Sequence, residues 1–127
     1  MKNFGRHVRQ WLPVIAWCGI IFYFSGLPAL DSGLDTVTDA VVKKIAHVAE
    51  YCILCLLVWR AVTKTFGKMV LGAYFWTGCI SLLYAISDEI HQSFIPTRNC
   101  RVTDVLIDAA GIFLALYIVY CKRNKPV

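Results

Sequence analysis

Apolar residues along this chain are concentrated in four blocks separated by short polar segments. The blocks cover residues 11–24, 45–62, 69–86 and 105–121. A bilayer core about 30 Å thick is crossed by a helix of about 20 residues. The last two blocks nearly reach that length by themselves, and the first two reach it with their flanks, through Leu30 and from Thr38. The pattern therefore predicts an all-α integral membrane bundle of four transmembrane helices, with residues 1–127 forming a single domain.

The composition supports this interpretation. Of the 127 residues, 58% are hydrophobic and 17% are charged, whereas soluble domains average about 45–50% and about 25%. A basic start followed by an apolar run also occurs in signal peptides. We favour an uncleaved first helix, because residues 26–28 make a poor cleavage site and further apolar spans follow. Within the blocks, Gly72 and Gly111 are predicted helix contacts, since small residues let membrane helices approach closely.

Lysine and arginine are distributed unevenly between the two ends of the predicted helices. Nine of them lie before the first block, between the second and third, or after the fourth: Lys2, Arg6, Arg9, Arg60, Lys64, Lys68, Lys122, Arg123 and Lys125. The other four bases and all eight acids fall on the opposite side, so the two sides carry +9 and −4, which gives the net charge of +5. Because cytoplasmic loops are rich in Lys and Arg, we predict that both termini are cytoplasmic. The basic character then reflects membrane orientation, and we expect no nucleic-acid partner.

Strongly polar residues from three predicted helices reach the same depth on the outer side. They are Lys44, His47, Glu50 and Tyr51 on the second helix, Asp88, Glu89, His91 and Gln92 on the third with Arg98 after it, and Arg101, Asp104 and Asp108 at the start of the fourth. Ionisable side chains within a membrane tend to face the bundle interior, pair with one another and mark functional sites. We therefore expect one polar cluster in the outer half of the bilayer.

The residues of this cluster and their spacing resemble the VanZ-like family of small bacterial membrane proteins. The resemblance rests on Lys44-x-x-His47-x-x-Glu50-Tyr51, on Tyr84-Ala85-x-x-Asp88-Glu89-x-His91-Gln92-x-Phe94-x-Pro96-x-Arg98, and on Asp104, Asp108 and Gly111. The exit from the first helix, Phe24-Ser25-x-x-Pro28, resembles the family too. Two positions depart from the family pattern: Thr97 stands where glycine is common, and Asp108 stands where asparagine is usual and adds a negative charge that needs a partner. The resemblance implies a multi-pass protein of the bacterial plasma membrane. The founding member lowers susceptibility to teicoplanin, a glycopeptide that acts on wall precursors outside the membrane, but this supplies no reaction.

Two interpretations of the cluster remain open. In the first it is a site, with Asp88, Glu89, His91, His47 and Glu50 as catalytic candidates and Lys44, Tyr51, Gln92, Arg98, Arg101, Asp104 and Asp108 as substrate-binding candidates. In the second the same charges form an ion-pair lattice that holds the helices of a structural or assembly subunit together. In both, Arg98 and Arg101 are expected to neutralise the acids beneath them, because unpaired buried charges are costly.

The site interpretation favours a phosphate-bearing ligand. A guanidinium group can bind phosphate with two hydrogen bonds, and the outer leaflet offers phosphate on lipids and on polyprenyl-linked wall precursors. We expect the protein to act on such an envelope lipid or precursor, as a hydrolase or transferase if it is an enzyme, or to bind and shield it without turnover. A divalent metal on the five catalytic candidates is a further possibility, since carboxylate and imidazole suit zinc or manganese. The sequence does not specify the oligomeric state.

Overall fold

Four α-helices make up the described part of the chain, residues 2–27, 36–67, 70–96, 98 and 101–124, in the computed structural model. They are α1 (Lys2–Ser25), α2 (Thr36–Phe66), α3 (Val70–Ser93) and α4 (Val102–Arg123). No strand occurs in these ranges, so the all-α prediction is confirmed. Some residues used in the sequence predictions lie outside the described ranges: Leu30, Lys68, Thr97 and Lys125.

The helix boundaries follow local backbone chemistry. Gly67, directly after α2, has a φ of 81°, a left-handed conformation that ends helices and that glycine adopts without steric cost. The second helix begins at Thr36 and has 31 residues, so it is longer than its apolar block. At the start of α4, Arg101 has extended backbone, and no side chain caps the helix there.

Two helices are long and apolar enough by length and composition to cross a membrane, among the residues that the structure describes. They are the segments His7–Ser25 and Val102–Arg123.

The second helix forms the centre of the bundle. It contacts each of the other three helices, most extensively α4. Its buried positions are Tyr51, Leu54, Cys55, Val58, Ala61 and Val62, and their spacing of three or four residues places them on one face. Outside this core, large apolar side chains such as Leu71, Leu83 and Phe113 are exposed. Contiguous exposed apolar surface is rare on soluble monomers and is typical of proteins that face lipid or a partner.

Gly111 allows α4 to approach α2 directly. A Cβ atom at this position would collide with the backbone carbonyl of Val48 and would lie 3.2 Å from the backbone nitrogen of Cys52. The predicted helix contact at Gly111 is therefore confirmed. At Gly72 the prediction is wrong, because an added Cβ would have no atom within 4 Å.

We expect Gly111→Ala to destabilise the protein and Gly72→Ala to be close to neutral. The alanine methyl group at 111 must push two backbones apart, and overpacking of this kind costs about 1–3 kcal/mol or more. Thermal unfolding of the two purified variants in the same detergent measures the difference. Equal melting temperatures for both variants would mean that α2 and α4 do not pack at Gly111 in the protein.

Candidate functional site

Asp88 is at the centre of a buried hydrogen-bond cluster that joins three helices. Its Oδ2 atom accepts hydrogen bonds from Ser25 Oγ at the end of α1 (2.9 Å), from Tyr51 OH on α2 (3.1 Å) and from Gln92 Nε2 on α3 (3.0 Å). Asp88 and Tyr51 are only 3% and 0% exposed. Three neutral donors therefore stabilise a carboxylate that is out of reach of solvent.

Arg98 reaches this cluster through an amide and not through a carboxylate. Its Nη1 atom donates to Gln92 Oε1 at 2.9 Å, and the Gln92 amide nitrogen in turn donates to Asp88. The expectation that Arg98 pairs directly with a buried acid is wrong. The glutamine side chain has one acceptor and one donor group, so it connects the guanidinium to the carboxylate while keeping them apart.

A second buried carboxylate, Asp108 on α4, contacts His47 on α2. Its Oδ1 atom lies 3.0 Å from His47 Nδ1, and the aspartate is 1% exposed. The two helices can bring these side chains together because Gly111, one turn beyond Asp108, lets the backbones approach. His47 is thus the partner that the additional negative charge at position 108 requires.

Glu89 and Arg101 contact each other differently from the predicted ion pair. The Glu89 Oε1 atom accepts a hydrogen bond from the backbone nitrogen of Arg101 at 2.9 Å, while the Arg101 residue is exposed. The carboxylate of α3 therefore anchors the start of α4. Arg101 contributes its backbone to this contact and leaves its side chain outside.

His91 lies on another side of α3 from the Asp88 contacts. Its ring stacks on Phe22 of α1, with ring centroids 4.2 Å apart and an angle of 21° between the planes. It is close enough to the chain after α1 that a Cβ at Gly26 would lie 3.6 Å from His91 Cε1. The imidazole is therefore packed against α1, apart from the His47–Asp108 pair.

A cavity of about 450 Å³ lies at the end of the bundle where these residues meet. Its polar lining consists of Ser25, Lys43, Lys44, His47, Glu50, Gln92, Arg98 and Asp104, and its apolar lining consists of Phe24, Leu27, Ala40, Ala46 and Ile107. Ligand pockets of small molecules and cofactors fall in a range of about 300–1,000 Å³. The cavity is large enough for a head group and part of an attached chain.

The structure separates the predicted site residues into three groups. Those that line the cavity are Lys44, His47, Glu50, Gln92, Arg98 and Asp104. Those that lie outside the lining and are linked to it by hydrogen bonds are Tyr51, Asp88 and Asp108. Glu89, His91 and the Arg101 side chain are not part of the lining. Polar groups from α2, α3 and α4 thus meet at one end of the bundle, with partners that differ from the predicted ion pairs.

The five candidate metal ligands do not form a metal site in this arrangement. Among the described residues no group of three His, Cys, Asp or Glu side chains is positioned to hold an ion. His47 is paired with Asp108 and His91 with Phe22, so the two imidazoles have separate surroundings. The cavity lining instead combines bases, two carboxylates and the amide of Gln92.

Ser25 is a functional candidate that the sequence prediction omitted. It is 5% exposed, donates to Asp88 and accepts from Gln92 Nε2 at 3.3 Å. Serine is common at helix ends for local reasons, so its position gave no reason to expect a long-range partner. The sequence could have identified Ser25 by its position at the end of α1, because the end of α1 and the polar end of α3 lie at the same end of the bundle.

Comparison with known proteins relates the whole site region to one family. The VanZ/LLP1 family matches residues 10–123, which includes all four helices except the first residues of α1. The chain is also 31% identical to YwnJ of Bacillus subtilis (strain 168), named an uncharacterized membrane protein, over 85% of this chain and 76% of that protein. No solved structure matches the chain.

We expect Tyr51→Phe to destabilise the protein by about 1–3 kcal/mol, the usual cost of leaving a buried polar group short of a partner. The change removes the hydroxyl that donates to Asp88 and keeps the ring. Tyr23→Phe is the matched control, because Tyr23 is 65% exposed. Thermal unfolding of both variants gives the comparison, and a Tyr51→Phe protein as stable as the control would show that the hydroxyl contributes nothing to holding Asp88.

Proposed function

The chain belongs to the VanZ/LLP1 family of membrane proteins, and we propose that its cavity binds the phosphate-bearing head group of a cell-envelope lipid or of a lipid-linked wall precursor. In this proposal the protein crosses the plasma membrane four times, with both termini in the cytoplasm and the cavity in the outer half of the bilayer. The partner is thus a membrane lipid or precursor.

The observation that carries the proposal is the two-sided lining of the cavity. Lys44, Arg98 and His47 supply donors on one part of the wall, and Phe24, Leu27 and Ile107 supply an apolar part. A lipid has the same division, with an anionic head group and a hydrocarbon chain. Arg98 is well suited to the phosphate, because guanidinium groups bind it with two parallel hydrogen bonds.

Two of the four bases that line the cavity, Lys44 and Arg98, form no salt bridge among the described residues. Among the described residues, the salt bridges join Lys43 to Asp39 and His47 to Asp108, while Arg98 donates to an amide. An ion-pair lattice would instead use Lys44 and Arg98 against the acids. The ligand-binding hypothesis therefore agrees better with the contacts than the structural hypothesis does.

Four membrane crossings agree with the lengths and the buried charges of the helices. The shortest helix has 22 residues, which at about 1.5 Å per residue exceeds a hydrocarbon core of about 30 Å. On α3, Asp88 and Glu89 are each 3% exposed, so their carboxylates do not face lipid. Charges that point into the bundle are compatible with a membrane span.

Catalysis on the bound phosphate is a second candidate, favoured by the contact between His47 and Asp108. A buried carboxylate on one ring nitrogen fixes the orientation of an imidazole, as in enzymes where histidine moves protons. Because His47 also lines the cavity and its Nδ1 contacts Asp108, its Nε2 would take the proton of a water or hydroxyl as that oxygen bonds to phosphorus. The ester bond between phosphorus and the lipid oxygen would break, and the departing oxygen would take up the proton from the imidazolium and leave as the alcohol. The protein would then be a hydrolase or transferase.

We expect the purified protein to bind a polyprenyl phosphate more tightly than the polyprenol of the same chain length, and Arg98→Gln or Lys44→Gln to weaken this binding about tenfold. Hydrogen bonds to charged groups contribute about 1.5–3 kcal/mol each. Arg101→Gln is the matched control, since it removes the same charge from a residue outside the lining. Equal binding of phosphate and alcohol, or an equal loss in the control, would contradict the proposal.

His47→Gln distinguishes binding from catalysis in the same assay. General acid–base groups contribute about 100-fold or more to rate, so in an enzyme this variant would retain the lipid and lose turnover. If the wild-type protein binds the lipid without forming product, the result supports shielding and contradicts catalysis. In cells, shielding of a wall precursor would lower teicoplanin susceptibility in proportion to binding, with Arg101→Gln behaving as wild type.

We also expect opposite ends of the bundle to label from opposite sides of the membrane. In a Cys100→Ser, Cys121→Ser background, a membrane-impermeant thiol reagent applied to intact cells should modify Phe94→Cys and leave Asn124→Cys unmodified. Phe94 is 78% exposed directly after α3, and Asn124 is exposed directly after α4. After the cells are broken both should react. Labelling of Asn124→Cys in intact cells would reverse the proposed orientation.

A further inference from the structure

A second cavity, of about 570 Å³, lies at the opposite end of the bundle between α1 and α2. Its lining is Gly5, Arg9, Gln10, Arg60 and Lys64. We propose that this cavity, here called the inner basic cavity, binds the phosphate of an anionic phospholipid from the cytoplasmic leaflet. The assignment requires that α1 and α2 cross the membrane, and it is independent of what the outer cavity binds.

The positive charge of the inner basic cavity has no acidic side chain to balance it. All eight acids of the sequence fall between positions 31 and 108, and the six in the described residues lie in the half of the bundle that holds the outer cavity. Arg60 and Lys64 are also one turn apart on the same helix, where like charges repel. Three bases around one cavity without an acid favour an anion as the missing partner.

The walls of this cavity are fixed by a contact between the two helices. Trp11 Nε1 donates to Thr65 Oγ1 at 3.2 Å, and these residues directly follow Gln10 and Lys64. The bond holds α1 and α2 at a defined separation beside the bases.

Aromatic side chains place the inner basic cavity at the level of lipid head groups. Trp11 and Trp76 line one neighbouring cavity, and the ring of Trp59 contacts that of Tyr74 in a tilted arrangement with centroids 4.6 Å apart. The guanidinium of Arg123 lies 5.8 Å from the centre of the Trp59 ring. Tryptophan and tyrosine concentrate at membrane–water interfaces, which indicates that α1, α2 and α3 meet the interface here.

The chemistry of the lining favours a phosphate head group with a net negative charge at this depth, because three bases and no acid line the cavity. Arg9 and Arg60 can each present a guanidinium fork to phosphate oxygens, and Lys64 adds a point charge. Basic pockets between membrane helices on the cytoplasmic side are suited to anionic head groups. A soluble phosphate would use the same donors, but it would gain nothing from the apolar surface of Trp11 and Trp76 beside the cavity.

The test compares lipid probes in nanodiscs of phosphatidylcholine that contain the full-length protein. Fluorescent phosphatidylglycerol should bind, and phosphatidylcholine with the same acyl chains and fluorophore should not compete. Arg60→Gln and Lys64→Gln should each weaken the binding about fivefold, the effect of one base near an anionic surface. Lys122→Gln is the matched control, because Lys122 is an exposed base on α4 at the same end but outside the lining.

Further variants distinguish the inner basic cavity from the outer cavity and test the role of the guanidinium group. All variants are compared in an Arg98→Gln background, which removes any contribution of the outer cavity to phosphatidylglycerol binding, so a failure of the outer-site proposal would not affect this result. Arg60→Lys should keep part of the affinity, because it retains the charge and loses the fork. The proposal is overturned if Lys122→Gln weakens binding as much as Arg60→Gln, or if glycerol 3-phosphate displaces the lipid at equal concentration.

Discussion

The close approach of α2 and α4 at Gly111 is the constraint on which the outer site depends. Without a side chain at this position, the backbone of α4 lies against the backbone of α2 near Val48. His47 and Asp108 are one residue and one turn away from that contact, so the same approach brings their side chains to 3.0 Å. The position of the His47 imidazole in the cavity is therefore set by the packing of Gly111 against the backbone of Val48.

Asp88 illustrates how the bundle stabilises a buried carboxylate without using its cations. Hydroxyl groups of Ser25 and Tyr51 and the amide of Gln92 donate to it, and hydrogen bonds to an ionised group are among the stronger ones in proteins. A direct pair with Arg98 would have stabilised the acid equally well. It would also have consumed the guanidinium that the cavity can offer to a ligand.

Helix number and the depth of the polar residues could be predicted from the sequence, because apolar blocks and alternating chain direction determine both. Side-chain partners could not, because they depend on which faces of the helices meet. Relative to Asp88, Gln92 is rotated by about 40° and His91 by about 60° in the other direction, at about 100° per residue. That difference sends Gln92 to the Asp88 cluster and His91 onto Phe22, and only the packing of α1 decides it.

In the proposed orientation Lys44 and Arg98 lie on the outer side, which is unusual because membrane proteins concentrate such residues on the cytoplasmic side. Two structural reasons for keeping them on the outer side can be compared with the contacts. A counter-charge role would require salt bridges to carboxylates. Neither Lys44 nor Arg98 forms one among the described residues, although Glu50 and Asp104 line the same cavity. A solvated role would place Arg98 outside the bundle, but it is half-buried and lines the cavity beside Gln92. What remains is a role toward a ligand, and an anion that carries an apolar chain matches both parts of the lining.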